Sequence, residues 1–136
     1  MNYNSIKESS SAYFERRDNY IYLRYKNFSV VDLEEAKQHA ENVIEICDGT
    51  NMPFILDGLN TEARFTHEAR IFFTTYEPLL KVRKAQAYLI NTLANRMLFK
   101  FFIKFHKPKG PIEVFTNLTN AEEWVKQFEP EKIKAY

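Results

Sequence analysis

The sequence predicts an α/β fold of element order ββαβαβαβα, with a mostly parallel sheet and an N-terminal antiparallel hairpin. Short apolar runs alternate with longer stretches of helical periodicity, the pattern of strand–helix–strand units, whose right-handed crossovers make the strands parallel. The first two strand-like segments have only a short polar link between them, so they pair antiparallel. Only three glycines occur in 136 residues, which argues against a turn-dense all-β fold.

Residues 1–11, polar and serine-rich, are expected to form a loose terminus to a single domain spanning residues 1–136. Ala12–Arg16 and Tyr20–Tyr25 read as the hairpin strands, joined at Arg17-Asp18-Asn19. Ile21 and Leu23 alternate with Tyr20, Tyr22 and Arg24, the period of a strand. Asp32 followed three residues on by Glu35 is a capping box. Leu33, Ala36, Ala40, Val43, Ile44 and Cys47 then recur at helical spacing, and Gly49 stops the helix. Phe54-Ile55-Leu56 is a buried strand that ends in Asp57-Gly58.

Thr66 is placed to cap a second helix containing Ala69, Ile71, Phe72 and Phe73, and Pro78 interrupts or ends it. Ala85–Ile90 is a third buried strand. An aromatic helix begins near Thr92 and stops at Pro108-Lys109-Gly110-Pro111. Ile112–Phe115 is the last strand. Thr119 with Glu122 forms another capping box, opening a helix over Asn120–Phe128 with Trp124 and Phe128 on its inner face.

Several of these pieces, in this order, resemble the STAS or anti-sigma-factor-antagonist (SpoIIAA-like) fold. They also resemble small bacterial STAS/SEC14-type proteins of uncharacterised function. The matching pieces are Val31-Asp32-Leu33-Glu34-Glu35-Ala36, Phe54-Ile55-Leu56-Asp57-Gly58 and Thr66-His67-Glu68-Ala69-Arg70. Phe105-His106-Lys107-Pro108, Val114-Phe115-Thr116-Asn117 and Ala121-Glu122-Glu123-Trp124 follow, so the likeness covers roughly residues 12–128. It implies a right-handed βα superhelix with four or five strands in sequential order, and it does not imply an enzyme. In antagonists of that wider fold, a Ser or Thr at the start of the helix after the central strand is phosphorylated. Thr66 falls near that place, but Phe65-Thr66-His67-Glu68 departs from the usual Asp-Ser-(Ser/Ala)-Gly pattern.

Nineteen basic and eighteen acidic residues give a formal net charge of +1, far from the basicity of a nucleic-acid-binding domain. No nucleic-acid partner is expected. The polar start lacks a secretory signal, and no apolar run is long enough to span a bilayer, so a cytoplasmic protein without a transmembrane segment is expected. The single cysteine, Cys47, lies on the apolar side of its helix and reads as a buried thiol. His39, His67 and His106 are scattered, with no metal-ligand spacing, and no cofactor motif is present. His39 reads as a solvated helix residue.

One loop gathers titratable residues: Asp57, Thr66, His67 and Arg70, with Glu68 beside them. A pocket at the carboxyl ends of the strands is where ligands bind in open α/β sheets. The alternative for Asp57 is a loop cap that accepts backbone N–H bonds. Catalysis by Asp57 and His67 is the weakest reading, because no nucleophile–base set is evident.

The segment Leu93–Lys107 is the most distinctive. Arg96, Lys100 and Lys104 recur every fourth residue as one basic stripe, while the apolar arc from Met97 round to Ile103 spans roughly 240°. A surface helix needs an apolar face of a little over ~100°. The surplus, assigned to Phe99, Phe102 and Ile103, calls for a second contact. The leading expectation is a non-enzymatic interaction or regulatory module that self-associates as a homodimer through Arg96, Phe99, Lys100, Phe102, Ile103 and Lys104, alongside an unidentified protein partner. The alternative is a protein that holds a small apolar or lipid-like molecule beside this helix.

Overall fold

A computed structural model describes residues 6–105 and 109–134. Among them the chain runs β1 (Ile6–Glu8), β2 (Ala12–Arg16), β3 (Ile21–Tyr25), β4 (Ser29–Val31), α1 (Leu33–Cys47), β5 (Thr50–Asp57) and β6 (Ala63–Phe65). It continues through α2 (His67–Thr75), α3 (Glu77–Val82), β7 (Arg83–Leu89), α4 (Leu93–Phe105), β8 (Ile112–Phe115), α5 (Leu118–Val125) and β9 (Glu131–Lys132).

The main sheet has the order β1-β2-β3-β5-β7-β8. β1, β2 and β3 are antiparallel, and β3, β5, β7 and β8 are parallel, with helices as crossovers. This is the mixed sheet with an N-terminal hairpin that the sequence predicts. The parallel strands are buried on both faces, so their apolar runs are continuous rather than alternating. On one face, Ala40, Val43 and Cys47 of α1 pack with Phe14, Leu23 and Phe54. On the other, Ala121 and Val125 of α5 pack with Ile55, Ala87 and Leu89. Trp124 and Phe128 meet at 4.8 Å between ring centres.

The expected caps of α1 and α2 are present. Asp32 accepts from the Glu35 N–H and Thr66 from the Ala69 N–H. Pro78 sits in the first turn of α3, where its missing N–H costs nothing. Asp48 and Gly49 both take left-handed backbone, at φ 47° and 73°, and end α1. Gly110 has φ 88°, and a Cβ there would approach the Lys84 carbonyl oxygen to 2.9 Å, so this turn before β8 requires glycine.

Some expectations are corrected. Residues 6–11 are not loose: β1 pairs with β2, and Ser9 and Ser11 are tied to α1. Residues 1–5 lie outside the described residues. Strand β5 begins at Thr50, and Pro53 is accommodated by a register shift against β7. The last helix is capped by Asn117, which accepts from the Asn120 N–H, rather than by Thr119. Asparagine is among the best N-caps, and Glu122 is engaged elsewhere by the Tyr20 hydroxyl at 2.7 Å. The short parallel pair β4–β6 and the two-residue β9 beside β5 carry no periodic signal long enough to read.

Candidate functional site

The face of the sheet that α1 covers holds a cavity of about 410 Å³. Its floor is the inward side of the central strands: Leu23 and Tyr25 of β3, Phe54 and Leu56 of β5, Gln86 and Tyr88 of β7. Their pairing in register, Leu23 with Leu56 and Phe54 with Gln86, brings them to one face. Helix α1 supplies His39, Ala40 and Val43; α2 supplies Arg70, Phe73 and Thr74; α4 closes the remaining side with Leu98, Phe99 and Phe102. The volume lies in the range of small-molecule sites, and the wall is largely apolar.

Helix α4 is tied down chiefly at its N-terminal end. Asn91 and Asn60 exchange two hydrogen bonds of 2.9–3.0 Å, and the Asn95 amide donates to the Thr61 carbonyl at 3.0 Å. Further along, Phe99 packs on Tyr88 at 4.7 Å between ring centres. Phe99, Phe102 and Ile103 are half-buried, and the first two line the cavity. The sequence reading turned α4 the wrong way: the exposed apolar residues are Leu93, Met97, Leu98 and Phe101. Spacing alone gives the width of the arc, and only the position of the sheet fixes its direction. Arg96, Lys100 and Lys104 are exposed along one side.

His39 is buried, not solvated, with 2% exposure. Its Nε2 is 2.6 Å from the Ser11 hydroxyl, which itself donates to Glu35 Oε1 at 2.5 Å. With the serine proton committed to Glu35, the network places the imidazole proton on Nε2, donating to Ser11. Nδ1 is then a bare acceptor, buried without a partner. Burial lowers the His39 pKa against the opposing pull of Glu35. Burial also acts to raise that of Glu35, but bonds from Ser11, Ser10 and Ser9 and the field of His39 outweigh it and bring it to about 2.

Arg83 opens β7 and lines the cavity with 8% exposure. One Nη2 donates to the Phe73 carbonyl at 2.7 Å, near the end of α2, while Nε is buried without a partner. Burial lowers its pKa against the Tyr88 and Tyr25 phenols. The Tyr88 hydroxyl donates to Gln86 Oε1 at 2.9 Å. Arg64 and Arg70 also reach the cavity, and no aspartate or glutamate does. Arg64 and Leu98 are its most exposed wall residues, so it opens between β6 and α4.

The loop site expected around Asp57 does not assemble. Asp57 pairs in register with Arg24 of β3 and points to the opposite face of the sheet. There it accepts from the Tyr22 hydroxyl, from Arg24 at 3.0 Å and from the Leu59 N–H at 3.0 Å. Burial first, then the bond to Asp57, raises the Tyr22 pKa to about 12. Thr66 caps α2, His67 is exposed and Arg70 faces the cavity. A one-residue step along a strand changes the face, which separates Asp57 from the α2 residues despite their closeness in sequence. Cys47 is buried as expected, its thiol pushed up to about 12 by burial. Among the described residues, no group of three His, Cys, Asp or Glu could hold a metal ion. Nor is any helix there long and apolar enough to cross a membrane.

A family model described as a domain of unknown function, DUF7793, matches residues 14–129. The chain belongs to that family. No curated protein matches this DUF7793 chain. Among solved structures it is similar to an uncharacterised protein of the DUF3478 family from Shewanella loihica PV-4, which has a SpoIIAA-like fold. The two share 16% identity with a TM-score of 0.57, over 92% of this chain and 97% of the other. At that identity the likeness establishes the fold alone. Sequence pattern alone does not single out Arg83, His39, Gln86 and Tyr88, which line this cavity. The legible trace is an arginine just before the buried run Ala85–Ile90 and a glutamine within it, polar residues that a sealed core strand does not need.

Proposed function

We propose that this protein is a non-enzymatic binding module whose ligand is a small apolar molecule held between the sheet and α4. The cavity carries this reading. Protein interiors are close-packed, and an unfilled apolar space of about 410 Å³ forfeits contacts that a ligand restores. Its position beneath the one helix whose apolar arc exceeds a single core contact supports the same conclusion. The test is a titration with the neutral fluorophore N-phenyl-1-naphthylamine. One site is expected, abolished by Ala63→Trp, which fills the cavity from β6. Absence of binding to the folded wild type rejects the reading.

A second reading, self-association, draws on a separate observation: Leu93, Met97 and Phe101 stay 63–75% exposed on the outer face of α4. Aromatic and methionine side chains are favoured anchors at interfaces. The two readings are compatible, because the helix presents different faces to the cavity and to a second copy. A catalytic role for Asp57 and His67 finds no support in their positions, and a screen for esterase, phosphatase and oxidoreductase turnover is expected to be blank.

A further inference from the structure

Resting on the cavity's role as an apolar site, we propose that its ligand bears a carboxylate bound by Arg83, with the apolar part running along β7 beneath α4. Arg83 is nine-tenths buried, and no acidic side chain forms an ion pair with it among the described residues. An isolated buried cation is costly, so buried charges are ordinarily paired. The Phe73 carbonyl takes one of the five guanidinium donors but brings no countercharge. Nε is buried without an acceptor, so the guanidinium keeps donors and a charge that no protein group matches among the described residues.

The surroundings agree with an anion. Arg64, Arg70 and Arg83 all reach the cavity, His39 is the other titratable base there, and no carboxylate faces it. Arg83 is the buried arginine of the lining and Arg64 the exposed one, so a ligand that reaches Arg83 enters charged end first. From Arg83 to Ile90 is seven strand steps, about 23 Å at ~3.3 Å each, a run lined by Gln86 and Tyr88. A long-chain monocarboxylate fits this arrangement. Of the three arginines only Arg83 is buried, so the second negative charge of a phosphate monoester has no buried partner.

The experiment displaces N-phenyl-1-naphthylamine from the full chain with dodecanoate, 1-dodecanol or dodecyl phosphate. Wild type is expected to bind dodecanoate at least about tenfold more tightly than the alcohol. Dodecyl phosphate is expected to be the weaker anion. Arg83→Gln should lose the acid preference while still binding the fluorophore, and Arg64→Gln should keep it. Should Arg83→Gln fail to fold, the preference in wild type is read against pH. It is expected to vanish once the acid is protonated. Equal binding of acid and alcohol, a preference for dodecyl phosphate, or loss of preference in Arg64→Gln alone overturns the Arg83 assignment and leaves the apolar site standing. Failure of the fluorophore and all three competitors to bind overturns both.

Discussion

The Ser11 hydroxyl lies 2.6 Å from Nε2 of His39, joining the turn before β2 to the buried face of α1. This contact, with Glu35 beside it, makes stability depend on pH. The folded state holds His39 below its usual 6.5, so the unfolded chain takes up that proton first. Stability from this residue is complete above about 6.5 and falls as the pH drops below it. Glu35 adds a second loss, from its ordinary 4.5 down to about 2. Urea unfolding across pH should therefore show midpoints declining in both windows. His39→Gln should flatten the upper one.

Ser11→Ala tests the same network at fixed pH. It removes a donor to Glu35 and the acceptor of the imidazole proton, and is expected to cost about 1–3 kcal/mol by urea denaturation at neutral pH. A wild-type midpoint would show that the N-terminal turn does not stabilise α1.

Thr66 accepts the Ala69 N–H at 3.2 Å and acts as the cap of α2. Thr66→Ala should lower stability by about 1 kcal/mol, and Thr66→Ser should recover most of it. The melting temperature should fall by about 4 °C for the alanine variant. An unchanged melting temperature, with phosphate found at Thr66 in protein from its own host, would favour a switch instead.

Asp57 accepts three hydrogen bonds on the face away from the cavity. Asp57→Ala should destabilise by about 1–2 kcal/mol, because the half-buried Tyr22 hydroxyl and Leu59 N–H lose their acceptor. It should leave N-phenyl-1-naphthylamine affinity at the wild-type value. A selective loss of probe binding with stability retained would move Asp57 into the ligand site.

For the outer face of α4, a homodimer by light scattering at micromolar concentration is expected. Met97→Glu should convert it to monomer, since a charge buried at an interface lacks a partner. Met97→Leu should remain dimeric. Monomeric wild type under those conditions rejects the self-association reading.

Residue order along the chain sets the local features. Apolar periodicity placed the central strands and α1, α2 and α4, and the caps Asp32 and Thr66 were readable because a cap and its N–H lie three residues apart. The antiparallel start of the sheet followed from a short link. Tertiary structure alone decided which side of α4 meets the sheet, that Asp57 faces away from Arg70, and that Ser11 seats His39. Arg83 likewise became a site residue only when α2 and β7 came together around it. Each of these depends on partners distant in the chain, and on single-residue phase along a strand or helix, which hydrophobic pattern leaves undetermined where both faces are apolar.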